Sequence, residues 1–373
     1  MIKFLFCGDF VCQKPKKISI GAKLKNLIES QNYNVINFEA PISGCGHDIK
    51  KSGPALTQSC ESVDFLIDNG FNLILLANNH MMDKGKEACE KTREAFRKLN
   101  AQVLGAGGFP DAMDIFVIKK DNIRVGLLNL THKEFGVLGI DSEFGDYGTA
   151  WINHPVVNQR IIEAKGKCDY LIVMPHAGIE DVLVPLPEWR ARYKEFVDLG
   201  ADLVIGSHPH TPQGWENYKG KWIYYSLGNF FFELFSHNYG PNWFKSLIVE
   251  CTIDLESGIK TKVYNCAFNE TDIDVDDSKV ATEYDEYLCS LLNDHDKYKS
   301  YLKSELKKLW PEYKLYLLRG LSAVTPTLDF HLLSHSTYGL LKGADIPLLI
   351  NNFQCESHCW AIERMLNLQL NER

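Results

Sequence analysis

The sequence predicts an α/β protein with a mainly helical extension at its C-terminal end. Short apolar runs of strand length alternate with amphipathic helical segments over residues 1–270, which is typical of a largely parallel sheet covered by helices. An acidic segment, predicted to be a linker, follows at residues 272–277, and helical periodicity dominates the remainder. We therefore expect one α/β unit over residues 1–270 and a helical extension over residues 271–373.

The composition indicates a globular protein that does not bind nucleic acid. The chain has 373 residues, of which 45% are hydrophobic and 24% are charged, and its net charge is -8. Binding to a phosphate backbone needs a concentration of Lys and Arg that this sequence lacks. We therefore expect no nucleic-acid partner.

The cysteines and the apolar segments favour a cytoplasmic protein. Eleven cysteines are scattered without regular spacing, unlike the disulfide framework of a small secreted domain. Met1 runs straight into an apolar segment, without the basic and long apolar regions of a signal peptide, and no stretch is long enough to span a membrane. We expect reduced thiols, a cytoplasmic location and no membrane span.

Three apolar runs in the first part of the chain end in polar residues that can bind metals. These runs are residues 2–7, 33–38 and 71–76. The first ends at Asp9, the second at Glu39, and the third runs into Asn79 and His80. Each residue alone is most simply explained as a turn or helix-cap residue. The repetition favours a shared site instead, because open α/β sheets bind ligands beyond the carboxyl ends of their strands.

Two later apolar runs deliver histidines to the same predicted edge. These runs are residues 168–174 and 201–205. His176 follows the first run, with Glu180 within reach of one turn, and His208 and His210 follow the second. Neutral imidazole is the commonest metal ligand in proteins, so these histidines extend the predicted site.

Pro209 indicates a stiff turn between His208 and His210. The proline ring fixes its own φ and disfavours the α region at the preceding residue, which excludes a helix. We expect His208 to be extended and both imidazoles to face one metal cluster.

The other elements follow from periodicity and turn residues. Residues 115–130 predict one hairpin around Asp-Asn, and residues 247–253 and 260–267 predict another around Ser-Gly. Helical spacing predicts helices at residues 22–30, 62–69, 87–100 and 187–199, and in the tail at 281–292, 298–309, 315–321 and 355–370, with Pro311 separating two of them.

Four further histidines stay outside the predicted site. His132 and His154 end no hydrophobic run, so we interpret both as surface or loop histidines. His331 and His335 are four residues apart in the tail, but the Glu of the HExxH zinc signature is missing. Core or surface positions are the better interpretation for that pair.

Together the strand ends predict a metal centre. The six candidate ligands are Asp9, Glu39, Asn79, His176, His208 and His210. Mixed carboxylate, amide and imidazole ligands without a thiolate suit Mn, Fe or Zn in a catalytic rather than a structural role. A carboxylate such as Glu39 can bridge two ions about 3.5–4 Å apart, an arrangement that activates water. We therefore expect two divalent ions and a hydrolytic reaction.

Six short motifs stand in a fixed order over roughly residues 1–270. They are Gly8-Asp9, Asn37-Phe38-Glu39, Ala77-Asn78-Asn79-His80-x-x-Asp83-x-Gly85, His176-Ala177-Gly178-x-Glu180, Gly206-Ser207-His208-Pro209-His210 and Tyr225-Ser226-Leu227-Gly228-Asn229-Phe230. This ordered set resembles the bacterial CapA family of poly-γ-glutamate capsule synthesis, a branch of the calcineurin-like metallophosphoesterases. The helical tail lies outside the resemblance.

The resemblance implies a four-layer α/β/β/α sandwich of the metallophosphoesterase type, with a two-metal centre at the sheet edge. The implied ligands are Asp9 and His210 for the first ion, Glu39 as the bridge, and Asn79, His176 and His208 for the second ion. His80 is similar to the phosphoesterase histidine that stabilises charge or protonates the leaving group. Asn229, in the last motif, is interpreted as a substrate-binding residue.

Two positions depart from the superfamily pattern. Val11 stands where the Asp-x-His motif has an imidazole, and Glu39 stands where the superfamily has an aspartate. The first ion therefore lacks one ligand and can recruit Glu180 or water, or be absent. Glu180 is also a candidate catalytic residue.

The leading functional interpretation is a metal-dependent, phosphoesterase-like hydrolase of capsule or cell-envelope polymer biosynthesis, with metal-activated water as the nucleophile. Its expected substrate is a small molecule or polymer that carries phosphate or carboxylate, and its expected partners are capsule-biosynthesis proteins. The alternative is a non-catalytic accessory protein of a capsule assembly complex that retains the fold. A nucleotide or sugar-nucleotide phosphohydrolase differs from the first interpretation only in its substrate.

Overall fold

The structure is a computed structural model that describes residues 1–139, 145–233, 240–269, 271–324 and 346–371. Its strands are β1 (Ile2–Val11), β2 (Ser19–Ile20), β3 (Tyr33–Phe38), β4 (Leu73–Leu75), β5 (Gln102–Leu104), β6 (Ala106–Gly108), β7 (Phe116–Lys120), β8 (Ile123–Thr131), β9 (Val137–Leu138), β10 (Tyr147–Ala150), β11 (Tyr170–His176), β12 (Leu203–Ile205), β13 (Trp215–Tyr218), β14 (Lys221–Tyr224), β15 (Asn229–Phe232), β16 (Lys245–Asp254), β17 (Gly258–Phe268) and β18 (Asp272–Val275).

The helices lie between these strands and after them. They are α1 (Ala22–Glu29), α2 (Glu61–Asp68), α3 (Gly85–Lys98), α4 (Val156–Lys167), α5 (Pro187–Leu199), α6 (Lys279–Asn293), α7 (His295–Val324), α8 (Ile346–Gln354) and α9 (Glu356–Asn371). Short 3-10 helices cover Pro15–Lys17, Asp111–Met113 and Pro241–Phe244. No helix in the described ranges has the length and apolar character needed to cross a bilayer. His331 and His335 lie outside the described residues.

Two large sheets supply the framework. The first has nine strands in the order β2-β18-β17-β16-β1-β3-β4-β5, and β15 pairs with the second half of β1. The second has six strands in the order β13-β14-β12-β11-β8-β7. In the first sheet β1, β3, β4 and β5 are parallel, and in the second β8, β11, β12 and β14 are parallel. A small third sheet joins β6, β10 and β9.

The two large sheets pack face to face with helices on both outer sides. Between the sheets lies an apolar cluster to which β1 contributes Phe4 and β11 contributes Ile172. Helices α1 to α3 cover the first sheet, where Phe96 of α3 is fully buried. Helices α4 and α5 cover the second sheet together with the C-terminal helices, and Trp189 of α5 is fully buried there. The predicted four-layer α/β/β/α sandwich with a helical extension is confirmed.

The C-terminal helices share the core of the second sheet. Leu288 of α6, Leu302 of α7 and Ala361 of α9 belong to the same apolar cluster as Trp189. The sequence predicted that Pro311 separates two helices, and that prediction is wrong, because α7 runs through it. A proline inside a helix costs about 3 kcal/mol. Buried side chains on both sides of the proline offset that cost.

The acidic segment at residues 272–277 is not a linker. Asp272–Val275 forms β18, which pairs with β17 and with β2. Buried and exposed side chains alternate here as they do in a strand, because Ile273 is fully buried while its acidic neighbours are partly exposed. The Asp274 carboxylate also accepts a hydrogen bond of 2.8 Å from the backbone N–H of Leu24 in the first turn of α1. All eleven cysteines of the chain are unpaired.

Candidate functional site

The six predicted ligand residues lie together where the parallel strands of both sheets end. The first sheet contributes Asp9, Glu39 and Asn79, and the second contributes His176, His208 and His210. All six side chains are buried. The site therefore lies where the edges of two sheets meet, whereas the sequence predicted a single sheet edge.

One ligand set is centred on His176. The Nε2 atom of His176 lies 3.0 Å from the Asn79 Oδ1 atom, 3.2 Å from the His208 Nδ1 atom and 3.2 Å from the Glu39 Oε1 atom. Ligand atoms around a tetrahedral ion at about 2.0–2.1 Å are about 3.3 Å from one another. The three distances from His176 Nε2 are therefore close to those expected between ligands that share an ion.

A second ligand set shares Glu39 with the first. It consists of Asp9, Glu39 and His210, whose ligand atoms lie within 4.8 Å of one another. His210 Nε2 lies 3.7 Å from Glu39 Oε1, and His210 Nδ1 lies 3.7 Å from Asp9 Oδ2. Val11 is fully buried in the apolar cluster between the first sheet and its helices, so it adds no ligand. This set offers one side chain fewer than the set around His176.

The buried carboxyl groups and neutral imidazoles of the two ligand sets favour bound cations. Burial raises the pKa of the Glu39 carboxyl well above its ordinary value, and burial also raises that of Asp9. Burial holds the pKa values of His176 and His208 well below the ordinary value, so both imidazoles are neutral and offer lone pairs. Glu39 Oε1 is buried and accepts no hydrogen bond. Two carboxylates, neutral imidazoles and an unpaired oxygen fit divalent metal ions.

The turn that carries the two histidines is more strained than the sequence predicted. His208 has φ 98° and His210 has φ 56°, so the prediction that His208 is extended is wrong. Pro209 disfavours the right-handed helical region at His208, and His208 adopts a positive φ instead of a β conformation. The backbone N–H of His208 donates a 3.1 Å hydrogen bond to Asp9 Oδ2, which holds the strained turn in place.

A close backbone approach positions Asp9. A Cβ atom on Gly8 would lie 1.8 Å from the carbonyl oxygen of Gly228, so only glycine fits at position 8. This contact lets the Asp9 N–H donate a 3.0 Å hydrogen bond to the Gly228 carbonyl. The motif residue Gly8 thus fixes the strand position from which the Asp9 carboxylate enters the site.

Asn37 is a site residue for which the sequence predicted no role. Its Nδ2 atom donates a 2.7 Å hydrogen bond to Asp9 Oδ1, and its Oδ1 atom accepts a 3.1 Å hydrogen bond from Asn78 Nδ2. The available signal was its place two residues before Glu39, because residues two apart on a strand share a face. Asn37 and Asn78 orient the carboxylate of Asp9.

Asn229 is fully buried and orients His210. Its Oδ1 atom lies 3.0 Å from His210 Nδ1, and its Nδ2 atom donates to the carbonyls of His210 and Trp243, both at 3.2 Å. The amide therefore accepts the Nδ1 proton, which leaves the Nε2 lone pair facing Glu39. We propose that Asn229 orients the candidate ligand His210. The role expected from the sequence was substrate binding.

We expect Asn229→Ala to weaken ion binding at the Asp9 set about 10–100-fold, because the imidazole loses its orienting partner. Calorimetric titration of the chelator-treated protein with Mn2+ measures the two sets as separate binding steps, and Asn217→Ala in the β13–β14 hairpin is the matched control. Loss of turnover with both binding steps unchanged would restore the substrate-binding interpretation.

His80 lies at the mouth of the site in a second polar group. Its Nδ1 atom is 2.7 Å from Asp83 Oδ2, and Lys51 forms an ion pair with the other oxygen of Asp83. Burial alone would raise the pKa of the Asp83 carboxyl, but His80 and Lys51 outweigh it and hold that pKa below its ordinary value. Asp83 is thus an anion that holds the Nδ1 proton of His80, which leaves His80 Nε2 for a ligand.

Comparison with known proteins gives the family. Residues 3–234, more than half of the chain, match the family model of the bacterial capsule synthesis protein PGA_cap. The chain belongs to this family. The family resemblance inferred from the six motifs is confirmed.

Curated relatives in the PGA_cap group carry capsule-related names. The chain is 33% identical over 216 residues to "Capsule biosynthesis protein CapA" of Bacillus anthracis, covering 55% of this chain and 52% of the relative. It is 31% identical over 218 residues to "PGA biosynthesis protein CapA" of Bacillus subtilis (strain 168), covering 58% and 57%. A Mycobacterium tuberculosis relative, "Probable polyglutamine synthesis accessory protein", is 24% identical over 214 residues, covering 52% and 54%. The chain spans about half the length of the curated relatives it matches.

Solved structures with a similar chain trace include two named hydrolases. A putative 5'-nucleotidase from Staphylococcus aureus aligns with a TM-score of 0.45 and 17% identity, covering 77% of this chain and 58% of that one. The sulfate thiohydrolase SoxB from Thermus thermophilus aligns with a TM-score of 0.42 and 11% identity, covering 82% and 60%.

A cleft of about 520 Å³ opens above the ligand sets. Asn79, His80 and His208 line its inner part, and residues of α7, α8 and α9 line the opposite wall. That wall lies beyond residue 234, where the match to the PGA_cap family ends. No role for the helical tail was predicted from the sequence, and in the structure its helices line the cleft.

Glu180 lies in this cleft rather than among the ligands. Its side chain is exposed to the cleft. The surrounding protein still desolvates the carboxyl group, and this desolvation, followed by the nearby Glu134 and Asp181 carboxylates, raises its pKa to about 7. A carboxyl group that titrates near neutral pH can exchange protons with a bound substrate. The structure thus places both predicted catalytic residues, His80 and Glu180, on the cleft.

His132 was interpreted as a surface or loop histidine, and its predicted exposure is wrong. It is fully buried, and its ring lies edge-on to that of His208 with the centroids 4.3 Å apart. Sequence reasoning missed it because the signal, a polar residue directly after a strand end, was hidden by the weakly patterned segment that follows β8. His154 is half-buried in a loop, close to its expected place.

Proposed function

We propose that this chain is a metal-dependent hydrolase of the phosphoesterase type that acts in the biosynthesis of a capsule or cell-envelope polymer. The observation that carries the proposal is the Glu39 Oε1 atom. It is buried, accepts no hydrogen bond, and faces the Nε2 atoms of His176 at 3.2 Å and His210 at 3.7 Å. One carboxylate oxygen between two imidazoles is what a bridging ligand requires.

The residues present fit two divalent ions, for which we propose Mn, Fe or Zn. Such ions supply positive charge to a substrate oxygen and lower the pKa of water. Glu39 would serve both ions, Asp9 and His210 the first, and Asn79, His176 and His208 the second. The chain itself keeps the imidazoles neutral by burial and orients the carboxylates through buried amides.

His80 and Glu180 are the proposed proton-transfer residues. Asp83 fixes the Nδ1 side of His80, so its Nε2 side can stabilise charge on the substrate or protonate the leaving group. Glu180 has a raised pKa of about 7 and faces the same cleft, so it can hold a proton at neutral pH. His80 is the primary candidate because it is adjacent to the ligand Asn79.

The substrate proposal rests on the family and on the cleft. The printed names of the Bacillus relatives refer to capsule and PGA biosynthesis, which supports a polymer carrying phosphate or carboxylate. We propose that residues 1–270 form the catalytic unit and that residues 271–373 supply the cleft wall. The unpaired cysteines support a reducing compartment, for which we propose the cytoplasm.

A second candidate function is a non-catalytic accessory protein of a capsule assembly complex. Two observations favour it: Val11 adds no ligand to the first ion, and the Mycobacterium tuberculosis relative is named as an accessory protein. In this alternative the cleft binds a polymer or a synthase without turnover, and capsule-biosynthesis proteins are the expected partners.

Metal-dependent turnover tests the proposed function. Purified full-length protein is stripped with a chelator, reloaded separately with Mn2+, Fe2+ or Zn2+, and assayed against phosphomonoesters, phosphodiesters and poly-γ-glutamate. We expect at least one ion to restore hydrolysis of one substrate class. Absence of turnover with every ion, together with co-purification with a synthase, would favour the accessory function instead.

A further inference from the structure

A second group of ligand-type side chains lies where the C-terminal helices meet the core. Ligand atoms of His132, Glu134 and Cys355 all lie within 4.8 Å of one another. His132 and Cys355 are fully buried, and the side chain of Glu134 is only 11% exposed. The first two residues follow β8, and Cys355 stands between α8 and α9. The group therefore joins parts of the chain that are more than 200 residues apart.

The separations in this group are those of ligands around one ion. His132 Nε2 lies 3.5 Å from Glu134 Oε1, and Cys355 Sγ lies 3.8 Å from the same oxygen. The first contact is too long for a good hydrogen bond and is an ion pair only if His132 is protonated, whereas in the second the Cys355 thiol donates a weak hydrogen bond to Glu134. Around a tetrahedral zinc with bonds of about 2.0–2.3 Å, neighbouring ligand atoms are about 3.3–3.5 Å apart. The observed distances are close to this spacing.

The hydrogen bonds around His132 involve its Nδ1 atom and leave its Nε2 atom available to bind an ion. Its Nδ1 atom lies 3.0 Å from Ser357 Oγ, which also accepts a 2.9 Å hydrogen bond from Trp189 Nε1. A hydroxyl oxygen can accept two hydrogen bonds, so the Nδ1–H of His132 can donate to it. The lone pair of His132 Nε2 then points toward Glu134. Metal-bound histidines are oriented by this kind of bond on the other nitrogen.

His358 of α9 lies near this group, but the ligand atoms within 4.8 Å of one another are those of His132, Glu134 and Cys355. The Nδ1 atom of His358 is buried and makes no hydrogen bond. It interacts electrostatically with Glu134, and its ring lies 5.4 Å from that of Tyr313 in α7. Buried imidazole nitrogens without hydrogen bonds, close to a buried carboxylate and a thiol, suit a bound cation.

We propose that His132, Glu134 and Cys355 form a zinc site distinct from the centre at Asp9 and Glu39. The ligand types decide the ion, because a thiolate disfavours Mg, Ca and Mn, whereas zinc accepts sulfur, nitrogen and oxygen together. No thiolate contributes to the centre at Asp9. The two groups adjoin through the rings of His132 and His208, which lie 4.3 Å apart, but they differ in ligand chemistry.

The zinc site fastens α9 to the core. The start of that helix is already held by Glu356, whose carboxylate accepts 2.7 Å hydrogen bonds from the backbone N–H of Lys133 and from Trp151 Nε1. Cys355 precedes Glu356 directly, so zinc would clamp the chain at the point where it enters the helix. Because α9 and its neighbours form the cleft wall, the zinc site holds that wall over the ligand sets.

Cobalt spectroscopy of the full-length chain tests this site separately from the proposed function. A thiolate bound to Co2+ gives a near-ultraviolet charge-transfer band, which carboxylate and imidazole ligands do not give. We expect this band in the wild-type protein and in Cys359→Ser, a matched change in the first turn of α9. We expect it to disappear in Cys355→Ser, with the loss of one zinc equivalent by elemental analysis, and to require at least 10-fold more cobalt in His132→Gln.

The second ligand centre provides the discriminating control. Asp9→Asn removes a carboxylate from the other centre and is expected to keep the cobalt–thiolate band, even if turnover is absent. A wild-type protein without the band, or a band and zinc content unchanged in Cys355→Ser, would overturn the zinc site and show a polar cluster only. The wild-type spectrum decides the matter even if a variant fails to fold.

Discussion

Replacing Glu39 with glutamine is expected to abolish ion binding at both ligand sets, together with the turnover that depends on them. Glu39 is the residue that both sets share, and its Oε1 atom has no other partner. An ion present at 1,000 times its dissociation constant stabilises a protein by about 4 kcal/mol. We therefore expect thermal unfolding of the variant to be insensitive to Mn2+, an ion that a site with a thiolate ligand disfavours.

The same substitution is expected to act in the opposite direction on the ion-free protein. Burial raises the pKa of Glu39 above its unfolded value, so the folded state loses stability as the pH rises from that lower value toward the folded pKa. Glutamine removes this cost, so the ion-free variant should unfold at a higher temperature than the wild type near neutral pH and at the same temperature in acid.

Calorimetry with and without a chelator measures both effects of the Glu39 substitution. Glu250→Gln in β16 is the control, because that half-exposed carboxylate lies outside both ligand sets. A Glu39→Gln variant that keeps the stabilisation by added Mn2+ would rule out the bridging role.

Replacing His80 with alanine is expected to reduce turnover about 10²–10⁴-fold, the usual contribution of a general acid or base. Ion content should remain unchanged, because His80 borders the cleft but belongs to neither ligand set. His208→Ala, by contrast, is expected to lose an ion from the set around His176. Single-turnover rates and elemental analysis of the two variants measure this division of roles.

Two comparisons sharpen the His80 prediction. Asp83→Asn should also reduce turnover, because His80 loses the anion that holds its Nδ1 proton. If Glu180 is the proton donor instead, Glu180→Gln will show the larger loss and will remove an inflection near pH 7 from the pH–rate profile. Equal ion loss in His80→Ala and His208→Ala would contradict the separation of proton transfer from ion binding.

Local sequence signals were sufficient for the framework of the fold. Tyr33–Phe38 and Pro187–Leu199 form the strand and helix that their patterns predict, because their apolar residues, caps and turns agree with the tertiary packing. The patterns failed where packing outweighs local preference. Pro311 lies inside a helix, and the acidic Asp272–Val275 segment completes a sheet edge.

The candidate site was predictable to the extent that its residues follow directly after apolar runs. Glu39 and His176 satisfy that condition, so their meeting at a strand edge follows from topology alone. Asn37 and His132 each have a weak local signal, but their contacts with Asp9 and His208 depend on the tertiary structure. The conformation of His208 depends on its hydrogen bond to Asp9, which is 199 residues away in the chain.

The cleft wall was beyond sequence reasoning for the same reason. Cys355 and Glu356 meet residues 133 and 134 across more than 220 positions of sequence. Helical periodicity locates α9 and its apolar face, but it does not say against which part of the core that face packs. From the sequence alone, α9 cannot be distinguished from any other amphipathic helix.

The division of the six ligands between two sheets links the proposed ions to the cohesion of the whole sandwich. Three ligands belong to one sheet and three to the other, so each ion would be a crosslink between the halves of the molecule. The free energy of ion binding then adds directly to the adhesion between the layers. If the proposed ions bind, folding stability would depend on the metal supply, and removal of the ions would loosen the protein first at the edge where the two sheets meet.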